Sequence, residues 1–472
     1  MDINCTEKEL FVFKKIAHAA KELKMACYII GGFVRDKLLG RKTKDADIVC
    51  IGDGIQLAHA VAKHFNPLPP VSFFKTFGTA HIRVDDLEIE FVGARRESYQ
   101  SNSRNPKVMS GDLKDDLLRR DFTINAMAIS LNEDDYGSLL DPFNGIHDLE
   151  KKIIQTPLDS LQTFSDDPLR MMRAIRFASQ LEFTIASKTL EGIKNNTERI
   201  KIISQERITD ELNKILLSKT PSIGFDLLYK TGLLEIIFPQ MVDLVGAEYV
   251  DGQGHKDNFY HTLQVVDNIS KETNDLWLRW AAVLHDIGKP ATKRFEPGHG
   301  WTFHGHEIVG ARMVPKIFNR LKLPQNEKVR FVKKMVEMHL RPIGLTKENI
   351  TDSAIRRLLF EAGDDIDLLM TLCEADITSK NKQKVKRYLE NFELVRKRLE
   401  EVEEKDRIRN WQPPITGEMI MEIFGLSPGR KVGEIKNAIR EAILDGEIDN
   451  NYDAAYALMM KKAAELDLLP AK

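Results

Sequence analysis

The apolar positions near the start of the chain fall at helical spacing. Leu10, Phe13, Ile16, Ala17, Ala20 and Leu23 recur within Glu7 to Lys24 and predict an amphipathic helix. A short β-like run follows, Ala26-Cys27-Tyr28-Ile29-Ile30, and ends in Gly31-Gly32. A helix is predicted over Val34 to Leu39 and a second strand over Ala46 to Ile51. Thr79 to Val84 and Leu87 to Val92 read as two more strands, joined at the turn signal Asp85-Asp86. This alternation stops near Asp141-Pro142-Phe143-Asn144-Gly145. From about Leu149 the periods are helical almost throughout. They include an apolar helix over Leu276 to Leu284 and a strongly charged one over Lys382 to Arg407. Trp411-Gln412-Pro413-Pro414 breaks the charged helix, and a small helical tail follows. No internal repeat or low-complexity segment interrupts the pattern.

Length and composition narrow the class. A chain of 472 residues is long for one core and suggests about three domains. With 42% apolar and 30% charged residues it has an ordinary soluble composition. The formal net charge of −2 does not advertise a nucleic-acid binder, but binding depends on local patches rather than on the sum. Cys5, Cys27, Cys50 and Cys373 are scattered, so neither a disulfide framework nor a zinc knuckle is expected. Reduced thiols, no signal peptide after Met1 and no apolar run of about 20 residues point to a cytoplasmic protein without a membrane segment. The oligomeric state stays open.

Chemistry concentrates first at Gly31-Gly32-Phe33-Val34-Arg35-Asp36 and Asp45-Ala46-Asp47. Glycines between a strand and a helix let backbone N–H groups approach a phosphate, and Arg35 is one turn away from the same anion. Asp45 and Asp47 are two apart on a predicted strand, so both side chains share one face. Two carboxylates on one face suit Mg²⁺ and a triphosphate. Such ions activate a 3′-hydroxyl and neutralise leaving pyrophosphate. Glu90, on a later strand, is a candidate third ligand. Taken singly, a Gly-Gly is usually a turn and an Asp-x-Asp a solvated strand end. Their combination beside Arg35 is far more specific.

These residues resemble the head of class II tRNA CCA-adding enzymes and bacterial poly(A) polymerases. Arg119-Arg120-Asp121-Phe122-Thr123-Ile124-Asn125-Ala126 is similar to the family's second signature. Asp141-Pro142-Phe143-Asn144-Gly145 with Asp148-Leu149 is similar to its third. The resemblance covers roughly residues 20 to 220. It implies an α+β protein: a polymerase-β-like nucleotidyltransferase head with a mixed sheet and helices, then all-α neck, HD and tail domains. The expected divisions are 1–148, 149–225, 226–380 and 381–472. The resemblance also implies Asp45 and Asp47 as catalytic Mg²⁺ ligands, and Gly31, Gly32, Arg35, Arg119 and Arg120 as nucleotide contacts. Guanidinium forks match phosphate oxygens; an internal ion-pair network of Arg119, Arg120 and Asp121 is the lesser alternative.

In the run Asp166-Asp167-Pro168-Leu169-Arg170, followed by Arg173 and Arg176, Asp167 and the three arginines lie three apart. On a helix they are neighbours, with Asp166 or Asp167 at the N-cap and Pro168 in the first turn. A carboxylate only accepts and a guanidinium only donates. Cytosine and adenine both offer an amino donor, where guanine and uracil present a carbonyl oxygen. One Asp and one Arg therefore select CTP and ATP, because G or U would leave acceptors facing each other in a dry pocket. The segment resembles the family's Glu-Asp-x-x-Arg template, with Asp166 where Glu is usual. A capped surface helix with ordinary ion pairs is the plainer alternative. Ser204-Gln205-Glu206-Arg207-Ile208, with Glu211, resembles the last neck motif and is expected to brace this helix.

A second constellation comprises His261, His285-Asp286, His306, His339 and Asp376. Imidazoles with carboxylates suit a divalent transition metal. The set resembles an HD phosphohydrolase domain over roughly residues 245 to 380, which implies His261, His285, Asp286 and Asp376 as core ligands. His306 and His339 could hold a second ion. A degenerate scaffold that only binds tRNA is the alternative. In the tail, Arg430 and Lys431 sit in a glycine-punctuated unit similar to tRNA-elbow modules, and are expected to contact phosphates.

The function implied is template-independent addition of CMP, CMP and AMP to tRNA. Poly(A) addition is weaker, because Gly93-Ala94-Arg95-Arg96-Glu97-Ser98-Tyr99, leading into Asn102-Ser103-Arg104, replaces the Gly-Arg-Arg-Phe-Arg-Leu-type signature. CC-only or A-only addition stays open. A metal-dependent phosphohydrolase with an RNA-binding head is a reading of another class, against which intact Asp45 and Asp47 argue.

Overall fold

The computed structural model describes residues 1–100, 103–250, 252–345, 351–379, 381–406 and 411–471. They form two compact units, Met1–Val242 and Asp243–Lys472.

The first unit opens with helix α1 (Glu7–Glu22), closed at its start by a reciprocal pair of bonds between Thr6 and Glu9. Strand β1 (Cys27–Ile30) runs into α2 (Gly32–Leu38), and β2 (Asp45–Cys50) into α3 (Gly54–Ala62). Then come β3 (Val71–Phe74), β4 (Thr79–Val84), β5 (Leu87–Gly93), a hairpin of β6 (Arg95–Gln100) and β7 (Ser103–Ser110), α4 (Leu113–Leu118), β8 (Ala128–Ser130) and β9 (Leu139–Leu140). The predicted strands are present. Beside them the sheet holds three that periodicity did not mark, in the order β3-β4-β5-β2-β1-β8-β9. Short runs such as Ala128–Ser130 carry no readable period. The sheet is mixed: β2 and β5 are parallel and the other pairs antiparallel. Alternation along β2 and β5 buries Ala46, Ile48, Ile89 and Phe91 on one face and leaves the acidic residues on the other.

Past α5 (Gly145–Lys151) the unit is helical: α6 (Ser160–Asp166), α7 (Leu169–Leu181), α8 (Ser187–Asn196), α9 (Gln205–Leu216) and α10 (Pro221–Lys230). On α7, Met171, Met172, Ala174, Ile175 and Ala178 are buried, which leaves Arg170, Arg173 and Arg176 on the opposite stripe. The start of α7 differs from expectation. Asp166 ends α6 and accepts from Gln162 Nε2 at 2.5 Å, while Asp167 accepts the Leu169 N–H at 3.2 Å. Two helices meet at the Asp-Asp pair because Pro168 cannot continue the first one.

The second unit is mainly helical, with the predicted helix Leu276–Leu284 fully formed. The charged helix spans Lys382–Asp406; Arg407 lies outside the described residues. The tail helices Gly417–Phe424, Arg430–Asp445 and Tyr452–Glu465 close over Ile420, Phe424, Ile435, Ile439 and Met459. Among the described residues no helix is long and apolar enough to cross a membrane.

Candidate functional site

The bend after β1 is forced by its contacts. Gly31 has φ +72°, and a Cβ there would lie 2.8 Å from Arg120 Nη1 and 3.6 Å from Asp47 Oδ2. Only glycine admits that conformation and that approach. The bend, Asp47 and Arg120 therefore meet at one point. Register continues the site across the sheet: Ile30 pairs with Asp47, Asp47 with Glu90, and Asp45 with Glu88. Asp45, Asp47 and Glu90 thus share a face. Burial raises the Asp47 carboxyl above its ordinary range; Arg120 opposes this, while Glu90 and Asp45 add to it. A divalent cation beside these oxygens relieves both effects, so an all-oxygen donor set fits one here. The trio is open, however: its ligand atoms do not gather within 4.8 Å as those of the histidine clusters do.

The predicted arginines divide by what they touch. Arg35 turns inward: its Nε donates to Asp36 Oδ1 at 2.9 Å, its Nη1 to Asn125 Oδ1 at 2.7 Å, and its guanidinium lies over the Phe177 ring. It braces the turn rather than standing free over it. Arg119 forks onto the fully buried Asp116 at 2.7 and 3.1 Å and reaches Glu97 at 3.3 Å. Arg120 touches Asp116 at 3.3 Å, and its buried Nε has no hydrogen-bond partner. Arg120 is thus the member of the pair that leans on the carboxylate face with a donor to spare. Asp116 and Glu97 were not singled out from sequence. Asp116 lies three and four residues before Arg119 and Arg120, a helical ion-pair spacing that could have marked it.

The row on α7 splits in two. Asp167 Oδ2 and Arg170 Nε are 3.9 Å apart, and Arg170 Nη2 donates to the Arg119 carbonyl at 2.6 Å. This ties the pair to the Arg119-Arg120 turn, and through Arg120 to Gly31 and Asp47. Arg173 forks onto Asp121 at 2.6 and 2.7 Å; Arg176 meets Glu211 of α9 at 2.5 Å and stacks over Phe177. α9 therefore does brace α7. Burial works against ionisation of Asp121, but Arg173, Asn125 and Arg170 outweigh it and hold the carboxyl well below the usual range.

In the second unit five helix ends and starts converge. His285 follows Leu276–Leu284, His339 follows Glu327–Met338, Asp376 follows Ile366–Ala375, His306 begins His306–Arg320, and His261 lies in Asn258–Glu272. Each ring is aimed through Nδ1: to Ala282 O at 2.7 Å for His285, Phe303 O at 2.8 Å for His306, Val336 O at 2.6 Å for His339, and Thr378 Oγ1 at 2.8 Å for His261. That leaves the Nε2 atoms facing the carboxylates. Asp286 Oδ2 lies 3.5 Å from His261 and 3.3 Å from His285; its Oδ1 lies 3.2 Å from His306 and 3.9 Å from His339. Asp376 Oδ1 is 2.9 Å from His261 and 3.4 Å from His285. The buried Nε2 atoms of His285, His306 and His339 have no partner in hydrogen-bonding geometry, as metal ligands awaiting an ion would not. Burial and His285 push His339 down to about 4, whereas Asp286 and Asp376 outweigh burial at His285 and raise it to about 10. The donor set fits a divalent metal, and Asp286 is shared between two triads. Lys289 Nζ also reaches Asp286 Oδ2, at 2.6 Å.

Of the tail residues, Arg430 is exposed and pairs with Glu434 at 2.7 Å, while Lys431 donates to the Leu466 carbonyl at 3.2 Å. In the segment that departs from the poly(A) signature, Glu97 pairs with Arg95 at 3.0 Å; Asn102 lies outside the described residues.

Residues 27–155 match the Poly A polymerase head domain, 182–244 the probable RNA and SrmB-binding site of polymerase A, and 258–381 the HD domain. The chain is 32% identical over 356 residues to the A-adding tRNA nucleotidyltransferase of Deinococcus radiodurans, covering 73% of this chain and 78% of that one. It is 33% identical over 311 residues to the multifunctional CCA protein of Pseudomonas fluorescens, covering 64% and 71%. Its 42% identity over 196 residues to the A-adding tRNA nucleotidyltransferase of Aquifex aeolicus covers 41% of this chain and only 23% of that longer one. A crystal structure of a tRNA nucleotidyltransferase with a primer tRNA and an incoming ATP analogue superposes with a TM-score of 0.57 at 26% identity, covering 81% of this chain and 99% of that one. A nucleotidyltransferase head, a polymerase-type RNA-binding segment and an HD domain thus stand in one chain, and the chain belongs to the tRNA nucleotidyltransferase family.

Proposed function

We propose that the protein adds CMP, CMP and AMP to the 3′ end of tRNA from CTP and ATP without a template. The observation that carries this is the tie from Asp167 and Arg170, through the Arg119 carbonyl, to Arg120, Gly31 and Asp47. It sets Asp167 and Arg170, which would select the base, beside the turn that leans on the carboxylate face. Asp45 and Asp47, with Glu90 as the third carboxylate, would hold Mg²⁺. That ion supplies neutralisation of the triphosphate and activation of the attacking hydroxyl. The chain's own residues do the rest. Gly31 and Gly32 give the phosphates room against the backbone, and Arg120 donates to a phosphate oxygen. Arg119 and Arg35 hold that turn in place. Asp167 accepts the exocyclic amino group of C or A, and Arg170 donates to the neighbouring ring acceptor. Arg173 and Arg176, engaged by Asp121 and Glu211, keep α7 at a fixed angle and so fix where the pair points.

The histidine unit is proposed as a metal-dependent phosphohydrolase. His261, His285 and Asp376 on one side and His306 and His339 on the other would hold divalent transition metal around Asp286, and that metal would supply Lewis-acid activation for hydrolysis of a phosphate ester. The four-part division at 148, 225 and 380 is proposed with it, as is a cytoplasmic location suited to scattered free thiols. A-only addition is the second reading, because two of the relatives above bear the name A-adding.

The test is incubation with tRNA truncated at each 3′ position and each labelled triphosphate. Full activity yields C, C and A in order. An A-only enzyme labels only tRNA that already ends in CC, and a poly(A) polymerase gives ladders beyond the natural end.

A further inference from the structure

The carboxylate face does not stop at Glu90. In register, Glu90 on β5 pairs with His81 on β4, and His81 with Ser72 on the edge strand β3. His81 Nε2 lies 3.9 Å from Glu90 Oε1. Two residues along β3, Phe74 shares the face of Ser72. The neighbouring Phe73 points to the other face, where the His59 ring of α3 packs against it at 5.6 Å. Phe74 has no such cover: it is 56% exposed, and its ring meets His81 edge-to-face at 6.2 Å between centroids. An edge-to-face pair leaves each ring at least one flat surface free.

A single exposed phenylalanine needs no explanation. This one sits on the face that carries Asp47 and Glu90, beside a second ring. Three strand spacings of about 4.8 Å put β3 about 14 Å from the Asp47 strand. The bases just behind a reacting 3′-hydroxyl fall within that reach. Phe74 offers the RNA end a contact that needs no charge. Stacking of an unpaired base on an aromatic ring is such a contact, and it tolerates any base.

We propose that Phe74, flanked by His81, is a stacking subsite for an unpaired nucleobase at the RNA 3′ end. The proposal rests on the nucleotidyl-transfer reading above. Phe74 is a positioning residue: it sets where the RNA end lies and does not touch the triphosphate.

The test uses the full chain and a tRNA carrying 2-aminopurine in its 3′-terminal unpaired stretch, whose fluorescence is quenched by stacking. For Phe74→Ala, KM for tRNA should rise roughly 5- to 150-fold, the range expected for one lost base–aromatic stack, with KM for the triphosphate unchanged. Quenching on binding should fall with it. Phe74→Trp should restore both, which a merely structural role of an edge residue would not predict. His81→Ala should weaken both in part. If the unaltered protein transfers nucleotides but Phe74→Ala keeps the tRNA KM and the quenching within twofold, the stacking subsite is wrong. If the unaltered protein transfers nothing to tRNA, the transfer reading itself fails.

Discussion

Arg170 donates from Nη2 to the main-chain oxygen of Arg119 at 2.6 Å, so one hydrogen bond joins the helix that would read the base to the turn that leans on the carboxylates. A guanidinium with one N–H fixed in this way still offers donors, in a plane set by the bond. Its distance of 3.9 Å from Asp167 leaves the two side chains near each other without closing them into a tight pair. That spacing keeps one acceptor and one donor side by side for a base edge.

Arg170→Ala should therefore relax the choice among the four triphosphates. A bidentate base contact is worth about 1–3 kcal/mol of discrimination, so misincorporation of G or U should rise by roughly one to two orders of magnitude. Arg170→Lys should restore little, because an ammonium cannot fork. Competition assays with equimolar triphosphates measure this directly, and unchanged discrimination would remove the templating role.

Asp121 gives a prediction in pH. Its carboxyl is buried and held below the usual range, so its stabilising effect is complete above the unfolded value of about 3.9 and fades as pH falls through the folded value. Asp121→Asn leaves the partly exposed Arg173 without its anion and should cost roughly 1.5–3 kcal/mol at neutral pH. Urea unfolding of the two proteins from pH 7 downward should show that gap narrowing below about pH 4. A gap that does not change with pH would mean that the ion pair is not its source.

For the histidine unit, His285→Ala should abolish metal-dependent release of phosphate from phosphomonoesters while leaving nucleotide incorporation intact. After chelation, Mg²⁺ alone should restore incorporation, whereas phosphate release should need a transition metal. Restoration of both by the same ion, with the same dependence on its concentration, would count against two separate metal sites.

Where a residue faces water or a ligand, sequence reasoning went far. The Gly31-Gly32 bend and the Asp45 and Asp47 alternation follow a local pattern, the six HD residues follow from the resemblance to the HD domain, and the structure brings the members of each group together. What stayed hidden is long-range pairing. Nothing local says that Arg35 turns to Asn125, ninety residues on, or that Arg119 also reaches Glu97, although its partner Asp116 lies at helical ion-pair spacing. A free and a buried arginine look alike in one sequence. The same holds for Phe74, whose place on the reacting face appears only once β3, β4 and β5 are laid side by side. The Asp166-Asp167 step read as one cap because the end of α6 carries no signal of its own before Pro168.

A Cβ at Gly31 would lie 3.6 Å from Asp47 Oδ2, and the account of transfer depends on this carboxylate beside the bend. Asp47→Ala, assayed with labelled CTP and ATP on truncated tRNA and in parallel for metal-dependent phosphate release, should lose incorporation of both nucleotides by at least about a thousandfold, since several kcal/mol of transition-state stabilisation are removed. Phosphate release should stay at the level of the unaltered protein. Incorporation that survives within tenfold, or equal loss of both activities, would contradict the account.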